Sequence, residues 1–120
     1  MITKQEILQL LNDTECHRVE RTISKNDMDK FCQAICAFSN DLSGDGKNGY
    51  LMIGAYDNGK LSGLKVDDGL LLKIANIRTD GNILPQPLLT IEKFTFEGGD
   101  LLVAEVQPAE FPPVRYRGRI

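Results

Sequence analysis

Apolar residues recur along this chain with two periods, and the switches between them outline its elements. Ile7, Leu8, Leu10 and Leu11 follow Thr3-Lys4-Gln5-Glu6, a capping box in which Thr3 takes a backbone amide and Glu6 reaches back. A short helix is therefore expected near the amino terminus. Residues 17–23 alternate as a strand, with Val19 and Ile23 on one face and Arg18, Glu20 and Thr22 on the other. The period then returns to three and four. Phe31, Ile35, Phe38 and Leu42 form a core-facing stripe on a longer helix capped by Asn26 or Asp27.

A glycine-rich loop, residues 43–49, leads into an apolar strand at 50–56. Asn58-Gly59 is a hairpin signal that pairs this strand with residues 60–64. Asp67 or Asp68 caps a third helix with Leu70, Leu71, Ile74 and Ile77 inward. Gly81, Pro85 and Pro87 make residues 78–87 a loop. Residues 88–96 and 101–106 form a second hairpin around Glu97-Gly98-Gly99-Asp100, and residues 114–120 alternate as a last strand. Behind the first helix the predicted order is β-α-β-β-α-β-β-β. The fold class is α+β, with a mixed, largely antiparallel sheet and helices packed on it.

A chain of 120 residues suits one domain. No apolar run approaches the ~20 residues that cross a bilayer, and no signal-peptide pattern opens the chain, so no membrane partner is expected. Three cysteines without an export signal point to reduced thiols and a cytoplasmic setting. The net charge of −3 does not announce a nucleic-acid binder. Its distribution changes the picture: residues 111–120 hold Arg115, Arg117 and Arg119 and no acid. On a regular strand these three share one face in a stripe ~13 Å long. Such a stripe can meet phosphates or can protect a sheet edge from aggregation. The run stops at Ile120 without a turn, which predicts the N-terminal domain of a longer protein.

Other candidate chemistry is thinner. The loop Ser43-Gly44-Asp45-Gly46-Lys47-Asn48-Gly49 fails the P-loop pattern, because no Ser or Thr follows Gly-Lys and a strand follows where a helix should, so ATP is not supported. Cys32 and Cys36, with Cys16 and His17, lack the spacing of a zinc module and read as buried thiols and a structural histidine. Three acids from separate elements, Glu15, Glu20 and Asp57, could meet at one place.

Glu15-Cys16-His17-Arg18-Val19-Glu20, Ala37-Phe38-Ser39-Asn40, Tyr50-Leu51-Met52-Ile53-Gly54 and Asp57, in that order, resemble the Schlafen AlbA-like domain. The resemblance runs from Glu15 to the Pro112–Arg117 segment. It implies a DNA-binding domain of bacterial transcriptional regulators and RecG-like proteins, and it tips the reading of the arginine strand toward nucleic acid, DNA or RNA, met mainly by backbone contacts from Arg115, Arg117 and Arg119. In Schlafens with ribonuclease activity it also implies a divalent-metal endoribonuclease in which Glu15, Glu20 and Asp57 hold Mg²⁺ or Mn²⁺. The family pattern Glu-Phe-Lys reads Glu20-Arg21-Thr22 here, so the lysine is absent. A regular strand would also point Glu15 and Glu20 to opposite faces, which requires Glu15 to sit in a turn. A third expectation is a module that pairs an open sheet edge with its own copy as a homodimer.

Overall fold

The computed structural model describes residues 2–120 and confirms an α+β fold. Helix α1 (Lys4–Asn12) opens with the expected capping box, Thr3 Oγ1 accepting from the Glu6 amide at 3.1 Å and Glu6 Oε1 from the Thr3 amide at 3.2 Å. Strand β1 (Val19–Thr22) follows, then α2 (Met28–Asn40) with Asp27 as its N-cap, then β2 (Gly49–Ile53). Helix α3 (Asp68–Ala75) is capped by Asp67 and ends in a 3₁₀ turn, Asn76–Arg78. Strands β3 (Ile83–Leu84), β4 (Leu88–Phe96), β5 (Gly99–Gln107) and β6 (Arg115–Tyr116) complete the order.

The main sheet runs β1-β2-β5-β4, parallel only between β1 and β2. Alternation along its strands divides the core in two. Leu51, Ile53, Leu102, Ala104 and Val106 face α2 and α3, where they meet Phe31, Ile35, Ile74 and Ile77. Tyr50, Met52, Leu101 and Val103 face α1 and pack on Ile7 and Leu11. The sheet is thus the middle of three layers.

Several expectations change. Residues 60–64 are not a strand. β2 already has β1 on one edge and β5 on the other, so the Asn58-Gly59 turn closes only an isolated bridge between Ala55 and Leu61. Ile23 does not share a buried face with Val19: β1 ends at Thr22, whose carbonyl receives the Gly54 amide, and Ile23 is 50% exposed. Leu42 leaves the α2 stripe because Asp41, at φ 49°, ends the helix first. Of the apolar residues named for α1, Ile7 and Leu11 are buried, whereas Leu8 lies on the exposed side. Ile83–Leu84, expected as loop, pairs with β6 in a separate two-stranded sheet.

Two glycines explain the central motif. Gly54 (φ 119°) passes so close to β5 that a Cβ there would lie 2.5 Å from the Asp100 carbonyl oxygen. A Cβ on Gly49 would collide with the Phe38 ring, so β2 can begin against α2 only with glycine at this position.

Candidate functional site

The carboxy-terminal segment is tied to α2 by side chains that replace a strand partner. Asn40 Oδ1 accepts from the Val114 amide at 2.6 Å, and Asn40 Nδ2 donates to the Val114 carbonyl at 2.8 Å. The Cys36 thiol adds a second donor to that carbonyl at 3.2 Å. Upstream, the Ala109 amide donates to the Ser39 carbonyl. The Tyr116 hydroxyl donates to Asp29 at the start of α2, and the Arg117 amide donates to the Asn82 carbonyl at 2.7 Å.

Beyond this anchor the arginine run is a tight hairpin and not one strand. Regular pairing stops at Tyr116. Arg117 (φ 49°) and Gly118 (φ 81°) form a two-residue turn, and Tyr116 and Arg119 exchange backbone hydrogen bonds across it. Opposed residues share a face, so Arg119 projects with Tyr116, whereas neighbouring Arg115 projects the other way. The expected one-sided stripe is therefore replaced by three exposed guanidiniums splayed around a turn. Gly118 is the sequence signal for this reversal, since a turn with two positive φ values favours glycine there.

Between the hairpin and the outer face of α2 lies a groove of about 410 Å³, bounded by Gln33, Ala37 and Asn40 on the helix and by Tyr116, Arg117 and Arg119 opposite. Arg117 lies over the Tyr116 ring (5.3 Å) and 4.0 Å from Asp29. The Asp29 hydrogen bond, with burial second, pushes the Tyr116 hydroxyl up to about 12. Burial, helped by Asp80, pushes Cys32 up to about 11, and burial also raises Cys36. Both thiols are protonated at neutral pH and are poor nucleophiles.

The acidic trio is not gathered. Glu15 sits in the turn before β1, as its spacing required, and Asp57 lies in the exposed turn after β2. Glu20 is on the α2 face of β1, opposite Leu51, with its carboxylate 3.6 Å from Lys30. Among the described residues no group of three or more His, Cys, Asp or Glu side chains could hold a metal ion. The donor set therefore does not fit Mg²⁺ or Mn²⁺ as arranged, and no chemical step follows from it. Arg21, the neighbour of Glu20, is 6% exposed and points to the other face. Its guanidinium donates to the carbonyls of Leu11 (3.1 Å), Leu10 (2.9 Å) and Asp13 (2.8 Å), closing the end of α1.

Residues 13–120 match the family model described as Schlafen, AlbA_2. The chain belongs to this family. Among solved structures it is similar to the N-terminal domain of a RecG-related protein from Nitrosomonas europaea, with 22% identity, a TM-score of 0.61, and coverage of 100% of this chain and 90% of that one. At this identity the likeness supports the fold alone. A search of curated proteins finds no match.

In this Schlafen AlbA_2 domain the Ala37–Asn40 motif now has a physical purpose. Phe38 packs over Gly49, the Ser39 hydroxyl donates to the Ile35 carbonyl while the Ser39 carbonyl takes the Ala109 amide, and Asn40 holds Val114. Thr22, where the family pattern has lysine, is buried and accepts from the Ser24 amide. Neither it nor Arg21 presents a cation beside Glu20. Lys30 does, from α2.

The glycine-rich loop is pinned at its base. Asp45 accepts from the Lys47 amide (3.2 Å), lies 3.2 Å from His17 Nε2 and 4.0 Å from Arg18 Nε; these contacts, the amide first, hold its carboxyl below the usual range.

Proposed function

We propose that this domain binds nucleic acid and grips the phosphate backbone with Arg115, Arg117 and Arg119. The observation that carries it is the anchored hairpin: three exposed arginines within five residues, no acid in residues 111–120, and a backbone held in place by Asn40 and Asn82. Prior anchoring lowers the ordering cost of binding. Guanidiniums match phosphate oxygens in a bidentate fork. The structural neighbour comes from a protein named for an ATP-dependent DNA helicase, which agrees with such a role. More finely, we assign the chain as the amino-terminal, DNA-binding domain of a bacterial transcriptional regulator.

Fluorescence anisotropy against DNA and RNA at ~50 mM salt, where phosphate contacts are strongest, tests it. Binding that weakens steeply with salt and is lost in the Arg117→Ala/Arg119→Ala double variant is expected. Absence of binding at that salt would overturn the proposal. An endoribonuclease would need Glu15, Glu20 and Asp57 to converge; a divalent-dependent cleavage abolished by Glu20→Gln and Asp57→Asn would favour that alternative. A salt-insensitive dimer without nucleic-acid affinity, seen by sedimentation, would favour a homodimerisation module.

A further inference from the structure

Two depressions adjoin on the outer surface of α2. The groove of about 410 Å³ ends at Arg117 and Arg119, and a second of about 390 Å³ reaches Arg18 and Lys47; Ala37 and Leu42 line both. A ligand crossing both over the carboxy-terminal end of α2, along one trough, would meet cations at each end and the shared apolar side chains of Ala37 and Leu42 between them. Leu42, 77% exposed, stands between the two depressions, Phe38 borders one, and Ile120, 72% exposed, borders the other.

We propose that this trough takes a single-stranded segment of nucleic acid, its phosphates at the two cationic ends and its bases over Leu42 and Ala37. The proposal rests on the nucleic-acid role above and adds the class of ligand. A duplex keeps the flat faces of its bases inside the stack, so it presents nothing apolar for Leu42, Phe38 and Ile120 to cover. Unpaired bases present those faces, and proteins that follow a single strand combine a cationic groove with aromatic side chains on which bases stack. Phe38 supplies an aromatic side chain here, and Leu42 and Ile120 add apolar surface beside it.

The local electrostatics favour the same placement. The negative end of the α2 dipole lies under the middle of the trough and disfavours a phosphate there, leaving that stretch to bases. The acids along the walls are already engaged. Asp41 accepts from the Gly46 amide at 2.9 Å, Asp45 lies against His17 and Arg18, and Asp29 takes the Tyr116 hydroxyl. Among the described residues neither Lys47 nor Arg119 has an ion-pair partner. Gln33, exposed beside Ala37, supplies an uncharged amide that can meet a base edge.

Anisotropy with a labelled single strand of ~8 nucleotides, and with the blunt duplex of the same sequence, tests the proposal at low salt. The wild-type domain is expected to prefer the single strand by ~10-fold, about one good base contact. Leu42→Ser, at an exposed position, should weaken single-strand binding ~5-fold and Lys47→Ala ~3-fold, each leaving duplex binding within twofold. Equal affinity for the two forms, with no effect of either variant, overturns the trough while leaving backbone binding by the hairpin intact. No binding of either form overturns the nucleic-acid role itself, and the trough with it. Circular dichroism of both variants separates lost contacts from lost fold.

Discussion

Arg21 and Arg117 carry the same side chain to opposite ends. Arg21 is buried under the last turn of α1 and gives its donors to the carbonyls of Leu10, Leu11 and Asp13, where that helix ends. Arg117 stands on a hairpin tip, 64% exposed at its side chain, stacked over the Tyr116 ring and in distant contact with Asp29. The first guanidinium is consumed by the fold, and the second is held in position but left available. Residue type alone therefore says little about which arginines meet a ligand. What decides it is whether backbone carbonyls or solvent surround the head group.

The sharpest way to break this contrast is Arg21→Ala. It leaves the Leu11 carbonyl without a donor and takes the charged donor from those of Leu10 and Asp13, which keep the Asp13 and Cys16 amides. Hydrogen bonds from a charged group are each worth about 1.5–3 kcal/mol, so a loss of about 3 kcal/mol is expected in urea unfolding. Arg117→Ala, in contrast, should stay within about 0.5 kcal/mol of wild type, as exposed substitutions usually do. Equal effects of the two would erase the distinction.

Asn40→Ala tests the link between the two regions, because it removes both bonds to Val114 and leaves that buried backbone to the Cys36 thiol alone. A loss of about 2 kcal/mol is expected, together with weaker nucleic-acid binding measured on the folded fraction. Weaker stability with unchanged binding would show that the hairpin needs no anchor.

Alkaline pH probes the α2 side separately. Cys32 has its folded-state value raised from 9.0 to about 11 by burial, so it contributes stability in full below about pH 9 that is lost as pH rises toward 11. The wild type should thus lose stability over that window, and Cys32→Ala should flatten the decline. An unaltered profile would assign the decline to other groups. The smallest effect is expected for Glu20→Gln. Its partly exposed pairing with Lys30 is worth at most about 1 kcal/mol, and binding should not change.

The elements written in local sequence were legible in advance. The α1 capping box, the caps of α2 and α3, and the long β4–β5 hairpin all depend on neighbours within a few positions. What failed depended on competition at a distance. Asn58-Gly59 made its turn, but residues 60–64 found both edges of β2 occupied. The arginine alternation looked like a strand because alternation does not register a reversal, and Gly118 outweighed it. Arg21 and Asn40 were invisible for the same reason: their partners lie 8 to 11 and 74 positions away. The acidic trio was legible as a resemblance and not as geometry, since the strand pleat turns Glu20 toward α2 and Lys30.

The salt dependence of binding tests the central claim most directly. Log affinity against log salt should be steep for the wild-type domain, and the Arg117→Ala/Arg119→Ala variant should lose about 0.9 from the slope for each phosphate contact removed. A double variant with the wild-type slope and affinity would contradict the assignment of nucleic-acid binding to the hairpin.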